Sequence, residues 1–242
     1  FQALRIYEDL EMRKEQAQRL ARIGLLLILQ ESYEEGVDYC QQAITIQKEL
    51  EAMEDMGTSY VNMARGYLFT PDFDKAVASA NKAVELYETY SSDSTLMADS
   101  YNTRGNVLKY LERYEEAEAD YRWNLAYSER HDNIPGLIAS NGNLGHVLRL
   151  QEKYEEALVH TLKAIELIEE SGERRNLWEN YLHASIEYEM LGDFKKSLEY
   201  NILFSEERER LHEEATEHLK SELQIQYETD KKDTTISGQE AQ

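Results

Sequence analysis

The sequence predicts an all-α protein, a right-handed superhelical stack of antiparallel helix pairs. Three observations carry that reading. An aromatic, two charged residues and a small residue recur as Tyr33-Glu-Glu-Gly36, Phe73-Asp-Lys-Ala76, Tyr114-Glu-Glu-Ala117, Tyr154-Glu-Glu-Ala157 and Phe194-Lys-Lys-Ser197, at intervals of 40, 41, 40 and 40 residues. Nine positions before each aromatic lies another small residue, Gly24, Ala64, Gly105, Gly145 or Ser185, where a missing side chain lets two helix backbones approach. Strong helix formers dominate from Phe1 to Lys232, and only 2 Pro and 11 Gly interrupt them.

The elements follow in order. Ala3-Leu4-Arg5-Ile6 reads like Ala43-Ile44-Thr45-Ile46 one period later, so residues 1–16 are expected to be the second helix of a preceding, truncated repeat. Five full helix pairs then fill 17–205. The first pair turns at Gln30-Glu31-Ser32, the second at Thr70-Pro71-Asp72 and the fifth at Leu191-Gly192-Asp193, all short polar or Gly/Pro links of turn chemistry. Each second helix carries a marker seven residues after its small residue: Ala43, Ala83, Asn124, Ala164 and Phe204. Residues 206–233 continue without Gly or Pro as a capping or linker helix, whose stripe Leu211, Ala215, Leu219, Leu223 and Ile225 or Tyr227 can close the stack or pair with a second copy. The polar tail 234–242 is expected to be flexible. The chain has no start Met and opens inside a helical pattern, which points to a piece of something longer.

These residues resemble the tetratricopeptide repeat (TPR) family, whose signature places an aromatic, Leu, Gly and Tyr on the first helix and Ala on the second. Tyr60-x2-Met63-Ala64-x2-Tyr67 and Asn141-x2-Leu144-Gly145-x2-Leu148 carry the likeness. The 40-residue period exceeds the family's usual length of about 34, and resembles the longer-helix arrays of kinesin light chains and of Rap-type bacterial regulators. The family's proline between units is missing.

The resemblance implies a concave wall built by the first helices. Its pattern gives Gln18, Ala21, Leu25, Ile28 and Leu29 in the first unit and Thr58, Val61, Arg65, Leu68 and Phe69 in the second. Asp99, Asn102, Asn106, Lys109 and Tyr110 follow in the third, and Ala139, Gly142, His146, Arg149 and Leu150 in the fourth. The fifth supplies Glu179, Leu182, Ile186, Glu189 and Met190. Arg65, Phe69, Asn102, Asn106, Lys109, Tyr110, His146 and Arg149 form the candidate peptide-binding groove. Asn amides donate and accept together and so suit a peptide backbone, while Arg and Lys suit a carboxylate. The competing reading is a solvated wall whose cations are paired with neighbouring carboxylates.

Charge and composition remove other functions. With 26 basic against 48 acidic residues the net charge is −22, a field that repels nucleic acid and anionic lipid. The longest apolar run, Ile23 to Leu29, falls far short of the roughly 20 residues that span a bilayer. Cys40 stands alone and reads as a small buried hydrophobe. Tyr33, Tyr67, Phe73, Tyr101, Tyr114, Tyr121, Tyr154, Tyr181 and Phe194 read mostly as core knobs.

His212 and His218 are six apart rather than the four that would put both on one helical face for zinc, so neither a metal nor a cofactor is expected. No phosphate loop or nucleophile motif occurs, and the reading is a binding protein without catalysis. The phrase Glu222-Leu-Gln-Ile-Gln-Tyr-Glu-Thr-Asp-Lys-Lys-Asp233 resembles the helix that closes TPR sensor regions in bacterial histidine kinases, diguanylate cyclases and LuxR-type regulators. That resemblance implies the input domain of a larger signalling protein, with either the bacterial cytoplasm or periplasm as its compartment. The alternative is a freestanding adaptor or co-chaperone.

Overall fold

In the computed structural model the backbone is described for residues 2–91, 93–172, 174 and 176–240, and side chains for 9, 11–91, 93, 95–172, 174, 176–217 and 219–224. Every described element is an α-helix, and the helices form consecutive antiparallel pairs. They fall into two compact units, residues 1–171 and 172–242.

The first unit holds α1 (Gln2–Leu29), α2 (Tyr33–Glu49), α3 (Met53–Tyr67), α4 (Phe73–Tyr90), α5 (Ser94–Tyr110), α6 (Tyr114–Arg130), α7 (Ile134–Leu150) and α8 (Tyr154–Ser171). Its turns share one local solution. Glu31, Glu51, Glu112, Asp132 and Glu152 take positive φ just past a helix end. There the next amide reaches back to close the helix: Ser32 N–H donates to Leu27 O, Ala52 N–H to Gln47 O, Arg113 N–H to Leu108 O and Lys153 N–H to Leu148 O. This closure satisfies the carbonyls a helix end leaves open.

Packing follows the small residues. A methyl on Gly24 would lie 2.5 Å from Cys40 Sγ and 2.7 Å from Gly36 O, and one on Gly36 would lie 2.7 Å from Gly24 O, so α1 and α2 meet backbone to backbone. Ala43, Ala64, Ala76, Ala83, Ala117, Ala157 and Ala164 are fully buried. Ile28, Val37, Ile44, Met56 and Met63 form one apolar cluster, and Leu108, Tyr121, Leu144, Val147 and Leu148 another. Cys40 is fully buried and burial pushes its thiol up to about 12, which leaves it unreactive.

The second unit holds α9 (Leu177–Met190) and α10 (Phe194–Glu240). Its core joins Tyr181 and Tyr188 to Tyr200, and Trp178 to Phe204, with ring centroids 5.5–6.2 Å apart. Buried Glu207 accepts from Arg174 Nη2 at 2.5 Å and from Arg210 Nη2 at 2.5 Å.

Three expectations meet a different structure. Residues 2–16 do not fold back as the second helix of a preceding pair. They run straight on into α1, because no Gly, Pro or positive-φ residue separates Asp9 from Leu20. Helix α10 continues through 234–240, where composition suggests a flexible tail, and Ala241 and Gln242 lie outside the described residues. Phe73 and Phe194 are exposed rather than core knobs, whereas Tyr121 and Tyr181 are buried. In the α10 stripe Leu219 and Leu223 are exposed, and the side chains of His218, Ile225 and Tyr227 lie outside the described residues.

Candidate peptide-binding groove

The wall arises from which helices touch. In the first unit the backbones of α1 and α3, α3 and α5, and α5 and α7 approach closely, while among the described residues those of successive second helices stay apart, α6 and α8 being joined by the Arg122–Glu156 ion pair. Helices that converge on one side and splay on the other make a curved sheet, so α1, α3, α5 and α7 line its inner face.

Two polar rungs cross that face. Arg65 Nη2 on α3 donates to Asp99 Oδ1 on α5 at 2.6 Å and to Thr103 Oγ1 at 3.3 Å. One repeat on, Asn143 Nδ2 on α7 donates to Asn102 Oδ1 on α5 at 2.8 Å. The pairing leaves Asn143 its carbonyl oxygen and Asn102 its amide group, and both residues are half-buried at the surface of the wall.

Below the rungs the hydroxyl of Tyr121 on α6 donates to Asn106 Oδ1 at 2.8 Å, and Lys109 Nζ lies 5.9 Å from the centre of the Tyr121 ring. Burial raises the Tyr121 phenol well above its ordinary value, so this hydroxyl remains a donor that fixes the Asn106 amide. His146 and Arg149 sit three positions apart on α7, both half-buried and both in contact with other groups.

Phe69 lies two residues past the end of α3 and Tyr110 is the last residue of α5, 60% and 56% exposed. Each rests on the aromatic that opens the second helix of the preceding pair: Phe69 on Tyr33 at 4.8 Å, and Tyr110 on Phe73 at 5.7 Å. They form an apolar rim beside the polar rungs.

The structure ties Arg65 to Asp99 and pairs Asn102 with the amide of Asn143. Ala21, Ile28 and Val61, which the family pattern assigns to the wall, are buried in the core instead. Asn143 is the wall residue that sequence reasoning missed. Its signal was its position, 41 residues after Asn102 and next to Gly142, the residue the pattern chose.

Comparison with known proteins agrees with this architecture. The family model for the tetratricopeptide repeat matches residues 15–89 and 55–130. The sequence matches no curated protein. Among solved structures the chain resembles the apo form of RapI, with a TM-score of 0.72 at 14% identity, covering 80% of this chain and 72% of that one. It also resembles BtubC from P. vanneervenii, with a TM-score of 0.65 at 18% identity over 85% and 90% of the two chains. A third likeness is to a Signal Transduction ATPase with Numerous Domains from Pyrococcus horikoshii that has a tetratricopeptide repeat sensor. There the TM-score is 0.70 at 15% identity, over 80% of this chain and 31% of that one. At these identities the likeness is one of fold. Paired helices on a 40-residue period, small residues at the crossing points and the family match together make this chain a tetratricopeptide repeat protein.

Proposed function

We propose that the inner face of α3, α5 and α7 binds an extended segment of a protein or peptide, and that the chain serves as the sensory or input part of a larger bacterial signal-transduction protein. The amide rung of Asn102 and Asn143 carries the reading, because it presents one donor group and one acceptor at fixed separation, the pattern a peptide backbone requires. The aromatic rim of Phe69 and Tyr110 offers apolar anchors beside it. The wall has one imidazole, His146, among amides and guanidiniums, and this suits binding without chemistry. The input role draws support from the length of α10, 47 residues against 14 for its partner α9, and from the fold shared with a repeat region named as a sensor.

A random-peptide phage library panned against the protein tests the groove. Selected peptides are expected to lose about tenfold in affinity for Asn102→Ala/Asn143→Ala, the loss of two net hydrogen bonds of about 1 kcal/mol each being shared with water. The melting temperature should stay close to that of the parent. Undiminished binding by the double variant, or by Asn106→Ala/Arg149→Ala, counts against the site.

A further inference from the structure

The outer side of the first unit carries a second cavity, defined by a missing tyrosine. The position that opens the repeat signature is Tyr60 in the second pair, Tyr101 in the third and Tyr181 in the fifth, at the same 40 or 41 residue steps as the aromatic markers. In the fourth pair it is Asn141.

The third pair shows what the tyrosine does. Tyr101 lies in the outer groove between α4 and α6, where its hydroxyl donates to Glu88 Oε1 on α4 at 2.5 Å. Its ring stacks on Trp123 at 4.0 Å, and Trp123 stacks on Tyr127 at 5.7 Å, so the groove is full of rings.

One repeat later the groove between α6 and α8 has the same frame without the filling. Glu129 stands where Glu88 stood, Asn141 replaces Tyr101, Lys163 replaces Trp123 and Leu167 replaces Tyr127. The result is a cavity of about 550 Å³, lined also by Leu125, Leu137 and Val159. Val159 is 65% exposed, an aliphatic side chain with no ring over it.

Asn141, His160 and Lys163 are held by neighbours. Asn141 Nδ2 donates to Leu137 O at 2.9 Å, and its Oδ1 takes the Nδ1 proton of His160 at 2.9 Å, an arrangement that leaves His160 Nε2 as an acceptor. Lys163 pairs with Glu166 at 2.7 Å. The cavity thus offers acceptors, Glu129 and the His160 ring, above an aliphatic floor.

We infer that this outer cavity receives a tyrosine side chain of a partner polypeptide, its ring on Leu125, Leu137 and Leu167 and its hydroxyl donating to Glu129. The partner supplies from outside the ring that the third pair supplies from its own first helix. The volume is within the range of pockets that enclose a bound group, and aromatic anchors in such pockets dominate protein interfaces. This site is on the opposite side from the inner wall and does not depend on it.

The test follows the leucine and valine methyl resonances of the whole chain during titration with acetyl-Ala-Tyr-Ala-amide, acetyl-Ala-Phe-Ala-amide and p-cresol. The tyrosyl peptide is expected to move the methyls of Leu125, Leu137, Val159 and Leu167 and to bind about threefold more tightly than the phenylalanyl peptide, the share of one solvent-exposed hydrogen bond. Glu129→Ala should abolish that ratio. Lys163→Trp, a change at an exposed position, restores the ring of the third pair and should weaken the tyrosyl peptide by about tenfold or more. The inference is overturned by unmoved methyls, by equal affinity for both peptides, by full binding to Lys163→Trp, or by p-cresol binding where the peptide does not, which would make the cavity a site for free phenols.

Discussion

Glu207 shows how much a single side chain can depend on its neighbours. It is 2% exposed and held by Arg174 and Arg210. Hydrogen bonds from Arg210 and then Arg174 outweigh its burial and bring the carboxyl down to about 2. The unfolded chain titrates a glutamate near 4.3, so the folded value is depressed and the pair's stabilisation is complete above about pH 4.3. It is lost as pH falls from there through about 2. Glu207→Gln should therefore be less stable than the parent near neutral pH, by about 2 kcal/mol in urea denaturation, with the difference shrinking through that acid window. Comparing parent with variant is essential in a chain of net charge −22, because acid also relieves general repulsion among the other carboxylates. A difference that stays constant from pH 6 to about pH 2 would remove the two arginines from the explanation.

At the level of the helix, the markers in the sequence turn out to be helix starts and crossing points. Tyr33, Phe73, Tyr114, Tyr154 and Phe194 are the first residues of α2, α4, α6, α8 and α10. The small residues before them lie where helices touch, as the distances at Gly24 and Gly36 show. Gly24→Ala should cost about 1–3 kcal/mol, since the new methyl meets the backbone oxygen of Gly36 as well as the movable Cys40 side chain. An unchanged urea midpoint would mean that α1 and α2 are further apart than described. Periodicity made these positions legible because the constraint on each is local to one hairpin.

The candidate wall was less legible, since a residue such as Arg65 finds Asp99 only after one hairpin stacks on the next, and the rotation between them is not written in either. Asn143 is hard to read from sequence for the same reason, as a one-residue shift around a helix decides which of Gly142 and Asn143 reaches α5. The continuity of α1 through residue 17 is not legible in the matching tetrapeptide Ala3 to Ile6, which says nothing about whether the chain turns there. Only a stop signal would, and Arg13-Lys-Glu-Gln-Ala17 has none.

Across the first unit, the repeat makes each pair depend on its neighbours for burial, and the order of stacking creates the inner face. That claim can be read directly by cross-linking. Asn102→Cys/Asn143→Cys places thiols on α5 and α7, whose side chains meet at 2.8 Å. Ala119→Cys/Val159→Cys places them at equivalent exposed positions on α6 and α8, helices whose backbones do not approach each other among the described residues. The native Cys40 is buried and does not compete. With bismaleimidoethane, the inner pair should close within one chain quickly and in high yield, and the outer pair slowly or not at all. Preferential closure of the outer pair, or equal closure of both, would contradict an inner wall formed by the first helices.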